Sequence, residues 1–344
     1  MKALVKFAPG VGNVQLMDVP EPEYGDSEIR VKIAYAGLCG TDLHVYNDTF
    51  RNYPPVILGH ELSGVVEAVG SNVKQYAPGD RVAILGSNKI ICGHCKYCKT
   101  GYYMFCSTRR GMGHGTNGGF TKYVVAREDM LFKIPDAMSL KEAAISEAFA
   151  SSVQAVEEVA HLVAGDTVLI TGPGPIGLMC LLLTAAKGVR TYVAGTSSDA
   201  ERLRIAESLG AVCVDVQRED LAARIMGDTC GRGVDVVFEC SGNPAAITLA
   251  ISLVRPMGQF VQMGLGATKV EMNVEQLVHK RICLCGSVGH SMNTWEIMMR
   301  IFRSGKIDLK PIITHEMPLS KWEEAFELMR QQKALKIILY YDFE

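Results

Sequence analysis

Cys92, Cys95, Cys98 and Cys106 crowd into the run ICGHCKYCKTGYYMFC, spaced C-x2-C-x2-C-x7-C. Four thiolates this close can surround one tetrahedral Zn²⁺, whose sulfur ligands stand about 2.3 Å away. The spacing therefore demands an excursion of the chain that folds into a closed cage. It favours a compartment where thiols stay reduced, and it argues against disulfide pairing or a redox dithiol, since each C-x-x-C is part of a longer ligand set. A cage closed by four thiolates has no position for substrate, so it is structural and the chemistry lies elsewhere.

The chain has 344 residues, room for about two domains. Hydrophobic residues make up 48% and charged residues 21%, which supports a large core and argues against disorder. A net charge of −2 gives no electrostatic case for nucleic acid or an anionic membrane surface. The longest apolar run, Ile176 to Ala186, is too short to span a bilayer, and MKALVKFAPGVGN lacks the apolar stretch of a secretory leader. The expectation is a soluble, cytoplasmic protein. Of the remaining cysteines, Cys39 is set apart; most of Cys180, Cys213, Cys230, Cys240, Cys283 and Cys285 are expected to be buried apolar packers.

Two styles of pattern divide the sequence. Short apolar or alternating runs (Lys2–Phe7, Glu28–Ala36, Gly64–Val69, Arg81–Ile84, Gly119–Val125) are separated by the turn signals PGVGN, PEYGD, GSN and APGD. They predict a barrel-like β domain whose cysteine lobe spans 85–116. Lys141–Ala164 reads as helical. After it, strands and helices alternate: TVLIT, a helix from Ile176, TYVAG, a helix 200–209, VCVDV, a helix 221–226, VDVVFEC, a helix 245–254 and QFVQMG. Such βα units predict a doubly wound parallel sheet. RICLCGSVG reads as a further strand and WEIMMRIFRSG as a further helix, its Met-rich run being a core or interface face. The tail, with LSKWEEAFELMRQQ and KIILYY, is expected to pack on the first domain. The domains are thus 1–150 with 291–344, and 151–290.

The strand Val168–Thr171 runs into Gly172-Pro-Gly174-Pro175-Ile176-Gly177, which opens a helix. In that context GxGxxG is a dinucleotide signal. Gly172 permits the turn, Gly174 lets backbone approach a pyrophosphate, and Gly177 lets helix and strand pack closely. No carboxylate stands at the tip of the next strand, where one would bind the ribose of NAD. Gly195 is followed there by Thr196 and Ser197, and with Arg202 these suit the 2′-phosphate of NADP; Asp199 reads as the cap of the following helix. The expected cofactor is NADP, with NAD as the alternative.

A second metal set is suggested by GLCGTDLH and GHE. Cys39, His60 and a carboxylate, either Glu61 or Glu147, provide three ligands and leave a position open, as a catalytic zinc requires. Thr41 and His44 lie beside Cys39. Among the other histidines, His114 in GMGHGTNGG is a candidate to approach the site, whereas His94 is expected to be exposed.

GLCGTDLH, GHELSGVVEAVGSNVKQYAPGDRV, the cysteine lobe, GGFTKYVV, GPGPIG and the tail together resemble the zinc-containing medium-chain alcohol dehydrogenases, over essentially the whole chain. The superfamily includes polyol (sorbitol) dehydrogenase and threonine 3-dehydrogenase. The resemblance implies a GroES-like β-barrel catalytic domain, a Rossmann domain and a cleft between them. It implies two zinc ions, a catalytic one at Cys39, His60 and a glutamate and a structural one in the lobe. Glu61 matches the ligand position of polyol dehydrogenases, and Glu147 the place of another ligand or close neighbour of the metal. The resemblance also implies a proton relay through Thr41 and the cofactor ribose to His44, and a homotetramer or homodimer. Two positions depart from the pattern. Ala148 replaces a proline of the polyol enzymes. Gly289-His290 stands where mammalian sorbitol dehydrogenases have Arg-Tyr, while Met292 and Trp295 match threonine dehydrogenase, which has arginine at the place of His290.

The reaction expected is hydride transfer between a secondary alcohol, a polyol or sugar alcohol, and NAD(P). L-Threonine 3-dehydrogenase is the alternative within the class. A cofactor-binding sensor without turnover is the alternative outside it, opposed by the intact Cys39, His60, Glu61 and Glu147 set.

Overall fold

The computed structural model describes residues 1–266 and 269–344, which form two compact units. The first comprises Met1–Ala148, Ser291–Arg303 and Ile313–Glu344; the second comprises Phe149–His290 and Ser304–Ile312. The short segment 304–312 thus groups with the parallel-sheet unit.

In the first unit the eleven-residue strand Glu28–Leu38 is the organiser. It pairs antiparallel with Glu61–Val69 on one side, bringing Gly37 opposite Glu61, and with Lys336–Tyr340 on the other, bringing Leu38 opposite Ile337. Arg81–Leu85 and Leu131–Lys133 continue the sheet beyond Glu61–Val69, and Ile313–Pro318 lies outside Lys336–Tyr340. Alternation along Glu28–Leu38 sends Ile29, Val31 and Ile33 into the core, with Leu62, Val82 and Phe120. Tyr123–Arg127 also pairs with Glu28–Leu38, so the strand expected over Gly119–Val125 begins at 123 rather than at 119. Residues 118–120 are instead held close by Ile57, Leu58 and Gly59 through backbone hydrogen bonds.

The second unit holds six parallel strands in the order Val212–Asp215, Arg190–Gly195, Thr167–Thr171, Val234–Glu239, Val254–Gln262, Cys283–Gly286. The chain leaves the sheet's middle in both directions from Thr167–Thr171, so the topological switch lies beside Val234–Glu239. Crevices for ligands form outside the carboxyl ends of strands at such a point. Both central strands are buried throughout, as a parallel sheet covered on two faces requires.

Three local expectations need correction. The helical stretch from 140 ends at Val159 in a π-helical turn, because Ala160 is extended and Gly165 takes a positive φ. Of the six cysteines, most of them expected to pack in cores, Cys180 is buried and Cys213, Cys240 and Cys285 are half-buried; Cys230 sits in a left-handed turn and Cys283 on a sheet edge, and both are exposed. Asp199 stands at the N-cap of Ala200–Ser208 as read, but its carboxylate reaches back to the Thr196 N–H and hydroxyl instead of bonding the helix's own N–H groups. The Met-rich run behaves as read: Trp295, Met298, Met299 and Phe302 form the buried face of Met292–Arg303, with Trp295 stacked on Phe132.

Phe326, fully buried, packs against Tyr46 at the end of the helix Gly40–Tyr46 and edge-on to Trp322. Phe326→Ala is expected to lower the unfolding free energy by about 3–5 kcal/mol, read from urea unfolding curves.

Candidate active site and metal centres

The sheet register of the first unit assembles the site. Cys39 follows the end of Glu28–Leu38, Glu61 begins the adjacent strand, and Lys336 begins the strand on the other side. Three neighbouring strands therefore deliver their side chains to one end of the sheet. Cys39, His60 and Glu61 each offer a ligand atom, and these atoms lie within 4.8 Å of one another. Two glycines make the room. A Cβ on Gly37 would stand 2.2 Å from Glu61 Oε2, and one on Gly59, which has a φ of +88°, would strike the Phe120 ring.

Asp42 ties the ligands together. It is buried on the first turn of Gly40–Tyr46, where one oxygen accepts the Cys39 N–H at 2.9 Å. The other accepts the Gly59 N–H at 3.3 Å and lies 3.6 Å from His60 Nδ1. Burial alone would push His60 down, but the Asp42 carboxylate outweighs it and raises the imidazole well above its usual range.

Glu61 is entirely buried. Its Oε1 receives Lys336 Nζ at 2.5 Å, whereas its Oε2 is buried with no hydrogen-bond partner. Burial pushes the Glu61 carboxyl up, opposed by Lys336 and His60 and reinforced by Glu147; burial would lower Lys336, but Glu61 and Cys39 hold it charged. An orphaned buried carboxylate oxygen is costly. Here it belongs to a group that also offers a thiolate and an imidazole, so the donor set fits a divalent cation such as zinc.

Glu147, on the helix Ser146–Val153, is not within that 4.8 Å set, but its charge acts on Glu61, Lys336, Arg109 and His114. His114 is pushed down to about 4, by burial first and then by the positive charges of His60 and Arg109. The Thr41 hydroxyl lies 3.8 Å from Cys39 Sγ. His44, exposed and one turn further along the same helix face, bonds through Nδ1 to the Thr49 hydroxyl at 3.1 Å.

The four lobe cysteines also gather within 4.8 Å. Backbone N–H groups of Cys92, Cys95 and Cys98 point at the sulfurs of Cys106, Cys92 and Cys95, at 3.3–3.4 Å. The Thr108 hydroxyl and the Cys92 N–H bring Cys106 down to about 6, while burial sends Cys98 up to about 12. Such crowded thiols cannot all ionise alone; the N–H···S array fits a bound cation. His94 is exposed and bonds to the Cys92 carbonyl.

In the second unit Gly172 has a φ of +88°, and a Cβ there would stand 2.9 Å from the Ser241 backbone. At Gly177 a Cβ would meet the Gly172 carbonyl at 2.2 Å, which is the close packing expected of it. At Gly174, the N-cap of Pro175–Ala186, a Cβ would meet nothing within 4 Å: the backbone borders open space, as an approaching pyrophosphate requires. Gly195 packs on Pro173. Beyond it, Ser197 donates to Asp215 at 2.6 Å, and Arg202 and Arg218 lie 3.6 and 3.4 Å from Asp199 and Asp215.

Sequence reasoning missed Lys336, Asp42 and Asp215. Asp42 carried a local signal, three residues after Cys39 in capping position. Lys336 and Asp215 carried none, because each reaches its partner through strand pairing.

The chain matches two family models: "Alcohol dehydrogenase GroES-like domain" over residues 25–136 and "Zinc-binding dehydrogenase" over residues 175–304. It is 38% identical to the D-arabitol-phosphate dehydrogenase of Enterococcus avium, over 98% of this chain and 97% of that one. It is 36% identical to the sorbitol dehydrogenase of Halalkalibacterium halodurans, over 98% and 99%, and 36% identical to the L-threonine 3-dehydrogenase of Bacillus subtilis, over 98% of each. The crystal structure of a zinc-binding dehydrogenase from Sinorhizobium meliloti bound to NADP superposes with a TM-score of 0.90, at 29% identity and 98% coverage of both chains. The chain therefore belongs to the zinc-containing medium-chain alcohol dehydrogenases, enzymes that move a hydride between an alcohol and NAD or NADP.

Lys336→Met removes the one donor to Glu61. Metal-free protein is expected to lose about 3–5 kcal/mol of stability, and added zinc to recover part of it, both read by denaturant titration. A second expectation concerns acid. Unfolding returns His114 from about 4 to 6.5, so the unfolded chain binds the extra proton and the native state loses stability as pH falls from 6.5 towards 4. His114→Gln should flatten that decline, by on the order of 3 kcal/mol across the window at about 1.4 kcal/mol per pH unit.

Proposed function

We propose that the enzyme oxidises a polyol or sugar alcohol, with Cys39, His60 and Glu61 as the ligands of its catalytic zinc and Glu147 as a neighbouring carboxylate. The Glu61 carboxylate, grouped with Cys39 and His60 and left with an unpartnered Oε2, carries this reading, because a glutamate at that position is the ligand that the polyol dehydrogenase resemblance implies. The relatives named for sorbitol and D-arabitol phosphate agree with it. Bound zinc supplies Lewis acidity that acidifies an alcohol, and bound NAD(P) supplies the hydride acceptor.

The chain's own groups handle the proton. The Thr41 hydroxyl, next to the Cys39 sulfur, accepts and donates in one step. His44, exposed on the same helix face, passes the proton to solvent. Lys336 and Asp42 hold Glu61 and His60 in place throughout.

NADP is the proposed coenzyme. Thr196, Ser197 and Arg202, with Arg218 nearby, offer hydroxyls and guanidiniums beyond Gly195 for a 2′-phosphate. A homotetramer or homodimer is proposed from the exposed sheet edge Cys283–Gly286, where Leu284, Val288 and the neighbouring Val278 are uncovered apolar side chains. The reduced thiols suit the cytoplasm.

Kinetics on polyols and L-threonine with each coenzyme test the reading. The expected result is turnover of a polyol with a higher kcat/KM for NADP than for NAD, and none with threonine; preferential oxidation of threonine would overturn it. His44→Ala should slow kcat by roughly 10–100-fold, most at low pH; an unchanged pH profile would remove His44 from the relay.

A further inference from the structure

We propose that Arg51 and Arg110 form an anion handle that takes the phosphate of a phosphorylated polyol. The proposal rests on the polyol reading above and narrows its substrate class.

Both guanidiniums converge on one ring. Arg51 lies over Tyr53 at 5.1 Å from the ring centroid and Arg110 at 4.0 Å, so they are no farther apart than those two distances added together. Both are exposed, and neither has a carboxylate within 4.0 Å among the described residues. Most other arginines of this unit are engaged: Arg30 with Glu67, Arg81 with the Asp136 and Met138 carbonyls, Arg127 with Asp129. Arg109, next in sequence, is engaged elsewhere: its Nε donates to the Ser87 carbonyl and its charge acts on Glu147 and His114. Like charges gathered on one aromatic ring repel, and the arrangement is relieved by an anion that bridges them. Two guanidinium forks suit the several oxygens of a phosphate monoester.

The handle is joined to the metal-ligand set. The Tyr53 N–H donates to the His114 carbonyl at 2.9 Å, and the Phe50 ring stands edge-on to the His114 ring at 5.1 Å. The loop that carries Arg110 and His114 lies on the backbone before His60: a Cβ on Gly113 would come within 3.0 Å of Gly59. From His60 the path to the arginines runs through His114 and then Tyr53. The anion therefore sits about two side chains away from the ligands. The carboxylate of threonine is only two bonds from its carbinol carbon and does not reach that far. A phosphate on the far end of a polyol chain does.

The test compares a pentitol phosphate with the parent pentitol. Wild type should show a kcat/KM ratio of at least about 30 in favour of the ester, and Arg51→Gln/Arg110→Gln should lower that ratio by at least about tenfold. An unchanged ratio in the double variant, a wild type that prefers the parent, or a threonine activity that falls in the variant would each overturn the handle. If no polyol of either kind is turned over, the polyol reading fails, and titration of the NADP-saturated holoenzyme with inorganic phosphate decides the handle separately. Saturable binding weakened at least about tenfold in the double variant supports it; equal binding in both proteins overturns it.

Discussion

A carboxylate without water is the constraint around which the first unit is built. Glu61 is wholly buried, and a lone carboxylate there would cost several kcal/mol. Lys336 answers one oxygen and leaves the other without a hydrogen-bond partner, in a carboxylate grouped with Cys39 and His60. That arrangement depends on register. Leu38 must stand opposite Ile337 and Gly37 opposite Glu61 for the three side chains to meet at one end of the sheet. A slip of one residue would turn Glu61 or Lys336 to the other face. The hydrophobic alternation of Glu28–Leu38 therefore fixes the ligand geometry as well as the core, and Gly37 is needed because any Cβ would occupy the space of the carboxylate.

The second unit contains a contrasting case. Glu239 is just as buried, at the carboxyl end of a central strand. Its two oxygens accept from Thr171, from the Ser241 N–H and hydroxyl, from the Gly242 N–H and from Gln262. Neutral donors satisfy it completely, with no cation and no vacant oxygen. It folds the Ser241–Gly242 turn against Gly172, so its work is to shape the dinucleotide turn. Two buried glutamates thus separate by their partners: the satisfied one is architecture, and the one with an unanswered oxygen has capacity left for a ligand.

The residues legible in the sequence were those whose partners are near in the chain. The cysteine lobe closes within one excursion, and the GxGxxG turn is set by a strand and helix that adjoin it, so spacing alone described both. Alternating βα units also declared the parallel sheet, since each unit is local. Lys336 is 275 residues from Glu61, and nothing about KIILYY distinguishes it from a strand that begins with a solvated lysine. The cysteines were misjudged for the opposite reason: residue type predicts burial only on average, and Cys230 and Cys283 lie where a tight turn and a sheet edge expose whatever occupies them.

Charge balance links these groups to metal occupancy. Asp42, Glu61 and Glu147 bring carboxylates to one region, and Lys336 and Arg109 bring positive charges that act on them. Burial drives Glu61 towards its protonated form against the pull of Lys336 and His60, and the Asp42 carboxylate drives His60 the same way against burial. A divalent ion held by Cys39, His60 and Glu61 would add positive charge there, and protons on those groups would have to leave for it to bind. Lys336 is then not redundant with the metal. It donates to Glu61 Oε1 and opposes the upward push of burial on that carboxyl, while the unpartnered Oε2 is left with capacity for a ligand.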